Sequence, residues 1–185
     1  MKRSLLYLLF LPLAACATVP PAPPPPPSPP PTVPPPPPIE VQILAINDFH
    51  GNLEPPKLSI EATAADGSKV RVPAGGVAHL ATAARSLREG HPHSMTVSAG
   101  DMIGGTPFVS ATFLDEPTIR AMELVGVDYN AVGNHEFDKG AAELLRMKSG
   151  GCATHTTRQP CRLEPFTGAR FDYLAANVLT ATGQT

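Results

Sequence analysis

The sequence predicts an α/β domain built on a largely parallel sheet. Short apolar runs rich in β-branched residues alternate with stretches of helical periodicity. That alternation is the pattern of parallel strands joined by crossover helices. Three of the runs also end at once in ionisable or amide side chains. In open α/β sheets the carboxyl ends of the strands are where ligands bind.

The elements follow in chain order. VQILAI, Val41 to Ile46, is an apolar run of strand length and reads as a buried strand. KVRVP, Lys69 to Pro73, alternates and fits a hairpin arm. After the double glycine at 75 and 76, Val77, Leu80, Ala81, Ala84 and Leu87 make a helical stripe. SMTVSAG, Ser94 to Gly100, is a second buried strand. EPTIRAMELVG carries proline in its first turn and Gly126 at its end, which punctuates a helix. DYNAVG is a third strand, KGAAELLRMKSG a helix closed by glycine, and FDYLAANV a fourth strand.

This folding material occupies residues 39–185, about 145 residues, enough for one domain-sized core. Two different segments precede it. Residues 1–16 read as an export signal: Lys2 and Arg3, then the apolar LLYLLFLPLA, too short for a membrane span, then LAAC. Small residues before Cys16 resemble the lipobox of bacterial lipoproteins, which implies cleavage before Cys16 and its acylation; an ordinary secretory signal with an incidental cysteine is the alternative. The expected location is therefore membrane-anchored, on the periplasmic or cell-surface side. Residues 17–38 are mostly proline, which lacks the amide donor of helices and sheets. From Pro20 to Pro38 a polyproline II stalk would span on the order of 60 Å.

Composition narrows the partners. The formal charge of −2 offers no basic excess to neutralise a polyphosphate chain, so nucleic acid is not an expected partner. No specific protein partner is indicated. The chain has three cysteines. With Cys16 assigned to lipid, Cys152 and Cys161 remain as a pair flanking CATHTTRQPC, and an oxidising compartment makes them a disulfide. The competing reading, a metal held with His155, lacks a nearby fourth ligand.

The strand ends carry the chemistry. The first strand runs into NDFHG, with Asp48 and His50. The second runs into GDMIGG, with Asp101, and the third into GNHEFD, with Asn134, His135, Glu136 and Asp138. Carboxylate and imidazole suit first-row divalent ions. Asp48 and His50 can serve one ion, Asp101 can bridge two, and Asn134 offers a carbonyl oxygen to the second. Two such ions clamp a phosphoryl group and lower the pKa of a bound water. His135 then faces the substrate. Asp138 precedes the third helical segment, so an N-cap role stands open beside a partnership with His135. Glu136 reads as structural rather than as a ligand. His91 and His93 precede the second strand, so they fall at the end of the sheet opposite the rim.

NDFHG, GDMIGG and GNHEFD resemble the first three metal motifs of the calcineurin-like metallophosphatases. NDFHGNLEP and GNHEFDKG are most similar to the bacterial 5′-nucleotidase and UDP-sugar hydrolase branch. The resemblance covers Val41 to about Asn177. It implies a layered α/β sandwich and hydrolysis of phosphate esters of nucleotides or nucleotide sugars. It also implies two divalent ions, zinc, manganese, iron or cobalt, held by Asp48, His50, Asp101 and Asn134. His135 and Asp138 would be the catalytic dyad. Such enzymes complete the site with later histidines and a carboxy-terminal nucleoside-holding domain. No matching motif follows Asn177, so the chain reads as an amino-terminal part, expected to be inactive by itself. A non-catalytic, lipid-tethered binding module that keeps the fold is the alternative.

Overall fold

The computed structural model describes residues 36–179 and 181–183. Cys16, the export signal and the proline tract to residue 35 lie outside the described residues. Residues Ile39–Thr185 form one compact unit.

Its frame is a four-stranded parallel sheet. The strands are β1 (Gln42–Ile46), β4 (Ser94–Ser98), β5 (Tyr129–Ala131) and β6 (Asp172–Leu174), in that spatial order. Register runs Gln42 to Ser94 through Ile46 to Ser98, then Ser98 to Asn130, then Ala131 to Leu174. Neighbouring strands therefore finish nearly level, and the loops after β1, β4 and β5 leave from one edge. The crossovers supply α1 (Val77–Arg88), the single-turn α2 (Phe108–Ala111), α3 (Glu116–Val125) and α4 (Ala141–Ser149). Gly126 ends α3 in the left-handed region, φ 83°, with its N–H on the carbonyls of Met122 and Glu123.

One face of the sheet is the core. Leu44, Ile46 and Tyr173 pack against Ala84, Ile119, Met122, Val125, Met147 and Phe171. The other face presents Ile43, Met95, Val97, Tyr129 and Leu174. Ile43 is 60% exposed and Leu174 54%. The β1 run, read from sequence as buried, is thus an edge strand covered on one side only. Continuous apolar runs mark strands that are covered on both faces, and among the described residues no layer covers this second face. Leu87, placed on the helical stripe by periodicity, is also exposed, and lines an open groove along β1 with Ile43 and Leu80. It lies in the last turn of α1, beyond the packed part of the helix.

KVRVP does form a hairpin arm, β3 (Lys69–Pro73). Its partner β2 (Ser59–Thr63) pairs antiparallel with it, forming a separate two-stranded sheet. SIEAT alternates, but Ile60 is its one large apolar side chain, so its strand signal is weak. Asp66 closes the turn by accepting from the amide and hydroxyl of Ser68.

Cys152 and Cys161 are bridged, with 5.6 Å between their α-carbons. The bridged loop is tied to the core through a buried ionic network. The Arg146 guanidinium donates to Glu116 at 2.7 Å and bidentately to Glu143 at 2.7 and 3.0 Å. Arg146 also donates to the Gly151 carbonyl, and Glu116 accepts from the Cys161 amide. Burial disfavours the charged guanidinium, but the Glu143 and Glu116 carboxylates outweigh it and raise the Arg146 pKa.

Candidate metal centre

The site forms where the loops after β1, β4 and β5 touch. Those of β1 and β4 are zipped by their backbones. The amides of Asp48, His50 and Gly51 donate to the carbonyls of Gly100, Asp101 and Met102 at 3.2, 3.0 and 3.1 Å. Asp48, His50 and Asp101 all sit in the left-handed region, at φ 50°, 46° and 53°. That conformation is costly for residues with a β-carbon and tends to cluster at functional sites. The loops of β4 and β5 approach as closely as glycine permits. A β-carbon on Gly100 would lie 2.8 Å from the Gly133 nitrogen.

Ligand atoms of His50, Asp101 and His135 lie within 4.8 Å of one another, and all three residues are half-buried. Among the described residues this is the one such group of histidine, cysteine or acidic side chains. Asp48 stands beside it, its Oδ1 3.9 Å from Nε2 of His50, and its other oxygen accepts from Asn47. Asn134 is exposed and opens the 3-10 turn of His135–Phe137. One Asp101 oxygen accepts the His135 amide at 3.0 Å. The rim thus brings together side chains from three strand ends.

Hydrogen bonds fix both imidazoles. Nδ1–H of His50 donates to the Gly104 carbonyl at 2.8 Å, since a carbonyl can only accept. The Nε2 lone pair of His50 is left free to bind a metal. A second partner on the far nitrogen is the usual way a histidine ligand is oriented. Nδ1 of His135 meets Asp138 Oδ2, also at 2.8 Å. This hydrogen bond raises the His135 pKa against desolvation, with the charges of Asp138, Asp101 and Glu136 adding to it. Asp138 is not the cap of α4, whose N-cap is Gly140. The two rings meet edge to face at 4.9 Å.

A buried polar group lies beneath the rim. Glu136 is 2% exposed and receives N–H donors from both loops and from Asn130. Asn130, inside an otherwise apolar strand, was the sequence signal for it. Tyr173, paired with Asn130 across β5 and β6, gave no signal. Burial raises the Tyr173 phenol, and the Glu136 charge adds to the shift.

Clefts of about 570 Å³ and 410 Å³ open at the rim. The first is lined by Asp48, Phe49, Asn52 and His79, the second by Gly105, Lys139, Thr156 and Arg158. His79 is exposed and donates Nδ1–H to the Gly75 carbonyl. His91 and His93 are exposed at the amino end of β4, away from the rim. Asn177 is exposed in the turn after β6.

No family model matches the chain. It is 52% identical over 141 residues to the "Uncharacterized protein in pqq-V 5′region" of Acinetobacter calcoaceticus, covering 75% of this chain and 69% of that one. It is 36% identical over 109 residues to the 5′-nucleotidase of Bos taurus, covering 57% of this chain and 18% of that one. The solved calcineurin-like phosphoesterase YfkN from Bacillus subtilis aligns with a TM-score of 0.49 and 25% identity, over 78% of this chain and 39% of that one. The chain spans 16–18% of the length of the 5′-nucleotidases it matches, and 11% of a similar Bacillus subtilis endonuclease.

Proposed function

The chain belongs to the 5′-nucleotidase family of calcineurin-like phosphoesterases, a family of hydrolases, and from that premise we propose that it carries the metal-binding rim of a two-metal nucleotide phosphoesterase. The observation that supports this reading most is the convergence of His50, Asp101 and His135 within 4.8 Å at the ends of separate strands. Imidazole nitrogen and carboxylate oxygen suit zinc, manganese, iron or cobalt.

The roles divide as follows. His50, held by Gly104, offers Nε2 to one ion, with Asp48 beside it. Asp101, in the loop after β4, would be the carboxylate shared by both ions. Asn134 offers its carbonyl oxygen to the second ion. Ions held there would supply polarisation of phosphoryl oxygens and a lowered pKa of a bound water. His135 keeps a proton at Nδ1 on Asp138, and in its charged form turns Nε2–H toward a phosphoryl or leaving-group oxygen. The substrate is a nucleotide or nucleotide sugar. Of the three clustered side chains only His50 and Asp101 are assigned to metal, so this chain by itself is expected to bind metal weakly and to turn over substrate poorly.

Titration of the chain with Co²⁺, followed by visible absorption, tests the centre. Hydrolysis of a nucleoside monophosphate with and without chelator tests the reaction. Metal uptake with chelator-sensitive hydrolysis supports the enzyme. Uptake with no hydrolysis under any metal supply favours the tethered binding module. A chain that takes up no Co²⁺ overturns the metal centre.

The same proposal places the protein on a membrane through Cys16, with residues 17–38 as spacer. Cys16→Ser is expected to leave the membrane fraction and to lose labelling by a fatty-acid probe. A variant that fractionates and labels like the parent would refute the lipid anchor.

A further inference from the structure

Glu136 lies within GNHEFD, directly after the residues assigned to metal and substrate, yet its carboxylate turns to loop amides and Asn130. Its carboxylate accepts the amides of Asp101 and Met102, each at 2.9 Å, and of Gly133 at 2.7 Å. It also accepts from Nδ2 of Asn130 at 3.3 Å. The three backbone donors belong to two loops, one carrying Asp101 and the other Asn134 and His135. Successive amides around a left-handed residue form a cradle for an anion. Asp101 is left-handed, and its amide and the next both point at Glu136. A conformation of that kind persists only where its surroundings over-determine it. A carboxylate suits the place because it only accepts, whereas one end of a glutamine amide would confront these N–H groups.

We propose that Glu136 is the positioning residue of the metal centre. It holds Asp101 in its left-handed turn and clamps the β4 and β5 loops together, so ligand spacing is set from below by a side chain that touches no ion. From above, Asp101 completes the clamp by accepting the His135 amide. The inference rests on the metal-centre reading. Tyr173 supplies a control. Its hydroxyl is buried in the field of Glu136 but has no hydrogen-bond partner, and Oδ1 of Asn130 has none either. Removing the hydroxyl therefore perturbs the same pocket without loosening either loop.

The test compares Co²⁺ affinity of the chain with that of Glu136→Gln and Tyr173→Phe. Far-UV dichroism and the Cys152–Cys161 bridge report the fold. Glu136→Gln should keep the fold and bind Co²⁺ about 10–100-fold more weakly, the usual effect of losing a ligand's supporting partner. Tyr173→Phe should bind like the parent. Parental affinity in Glu136→Gln overturns the inference while leaving the metal centre standing. Absence of binding in the parent overturns the metal centre first. Should Glu136→Gln fail to fold, amide exchange in the unmodified chain decides. The Asp101, Met102 and Gly133 amides lie outside helices and strands, and should nonetheless exchange slowly. Rapid exchange at all three would refute the clamp.

Discussion

Asp101→Asn is expected to empty the rim of metal. Asparagine keeps the shape and can still accept the His135 amide, so the loops should hold their course. What changes is charge. A bridging carboxylate is shared by two cations, and its neutral replacement leaves them facing each other without it. Protein that hydrolyses a nucleoside monophosphate should lose both metal, by mass spectrometry, and nearly all turnover. His135→Ala should behave differently. If His135 meets the substrate rather than an ion, the variant retains metal and loses about 10²–10³-fold in rate, the effect of removing one transition-state donor. Equal metal loss in both variants would make His135 a ligand, in keeping with its place in the cluster with His50 and Asp101. Full activity in Asp101→Asn would end the two-metal reading.

Arg146→Met is expected to give the largest loss of stability. The guanidinium is 2% exposed and is shared by Glu116 and Glu143, whose side chains are 6% and 3% exposed. It also lies over the Phe166 ring, 5.2 Å from the centroid. Methionine fills much of the same space but leaves two carboxylates buried together without a cation. Breaking a buried ion pair from one side costs about 3–5 kcal/mol. Urea denaturation should show a loss of that order. In a Glu143→Leu background the same change should cost less, because only one carboxylate is stranded. A wild-type midpoint for Arg146→Met would mean that the network is solvated and that Glu116 does not anchor the disulfide loop through it.

Much of the fold was legible because the chain is locally consistent. The helices α1, α3 and α4 carry their periodicity and glycine stops within a few residues, and β1, β4 and β5 are each followed directly by a polar motif. Glycine punctuation and apolar period act over one turn or one strand, so the sequence displays them directly. The rim residues were legible for the same reason: strand direction alone puts Asp48, His50, Asp101, Asn134 and His135 on one edge. The β2 arm was not legible, because its pairing with β3 is made by backbone bonds that few side chains in SIEAT advertise.

By itself, then, the sequence determined the α/β class and the membership of three motifs in one edge, with the donor atoms those motifs bring there. Tertiary structure decided what lies between them. The Gly104 carbonyl that sets the tautomer of His50, the Glu136 carboxylate that joins two loops, and the Arg146 network that ties α3 to α4 all connect partners 3 to 54 residues apart. Tertiary structure also showed which face of β1 is covered. A run of apolar residues states that burial is favourable, but not what is present to provide it.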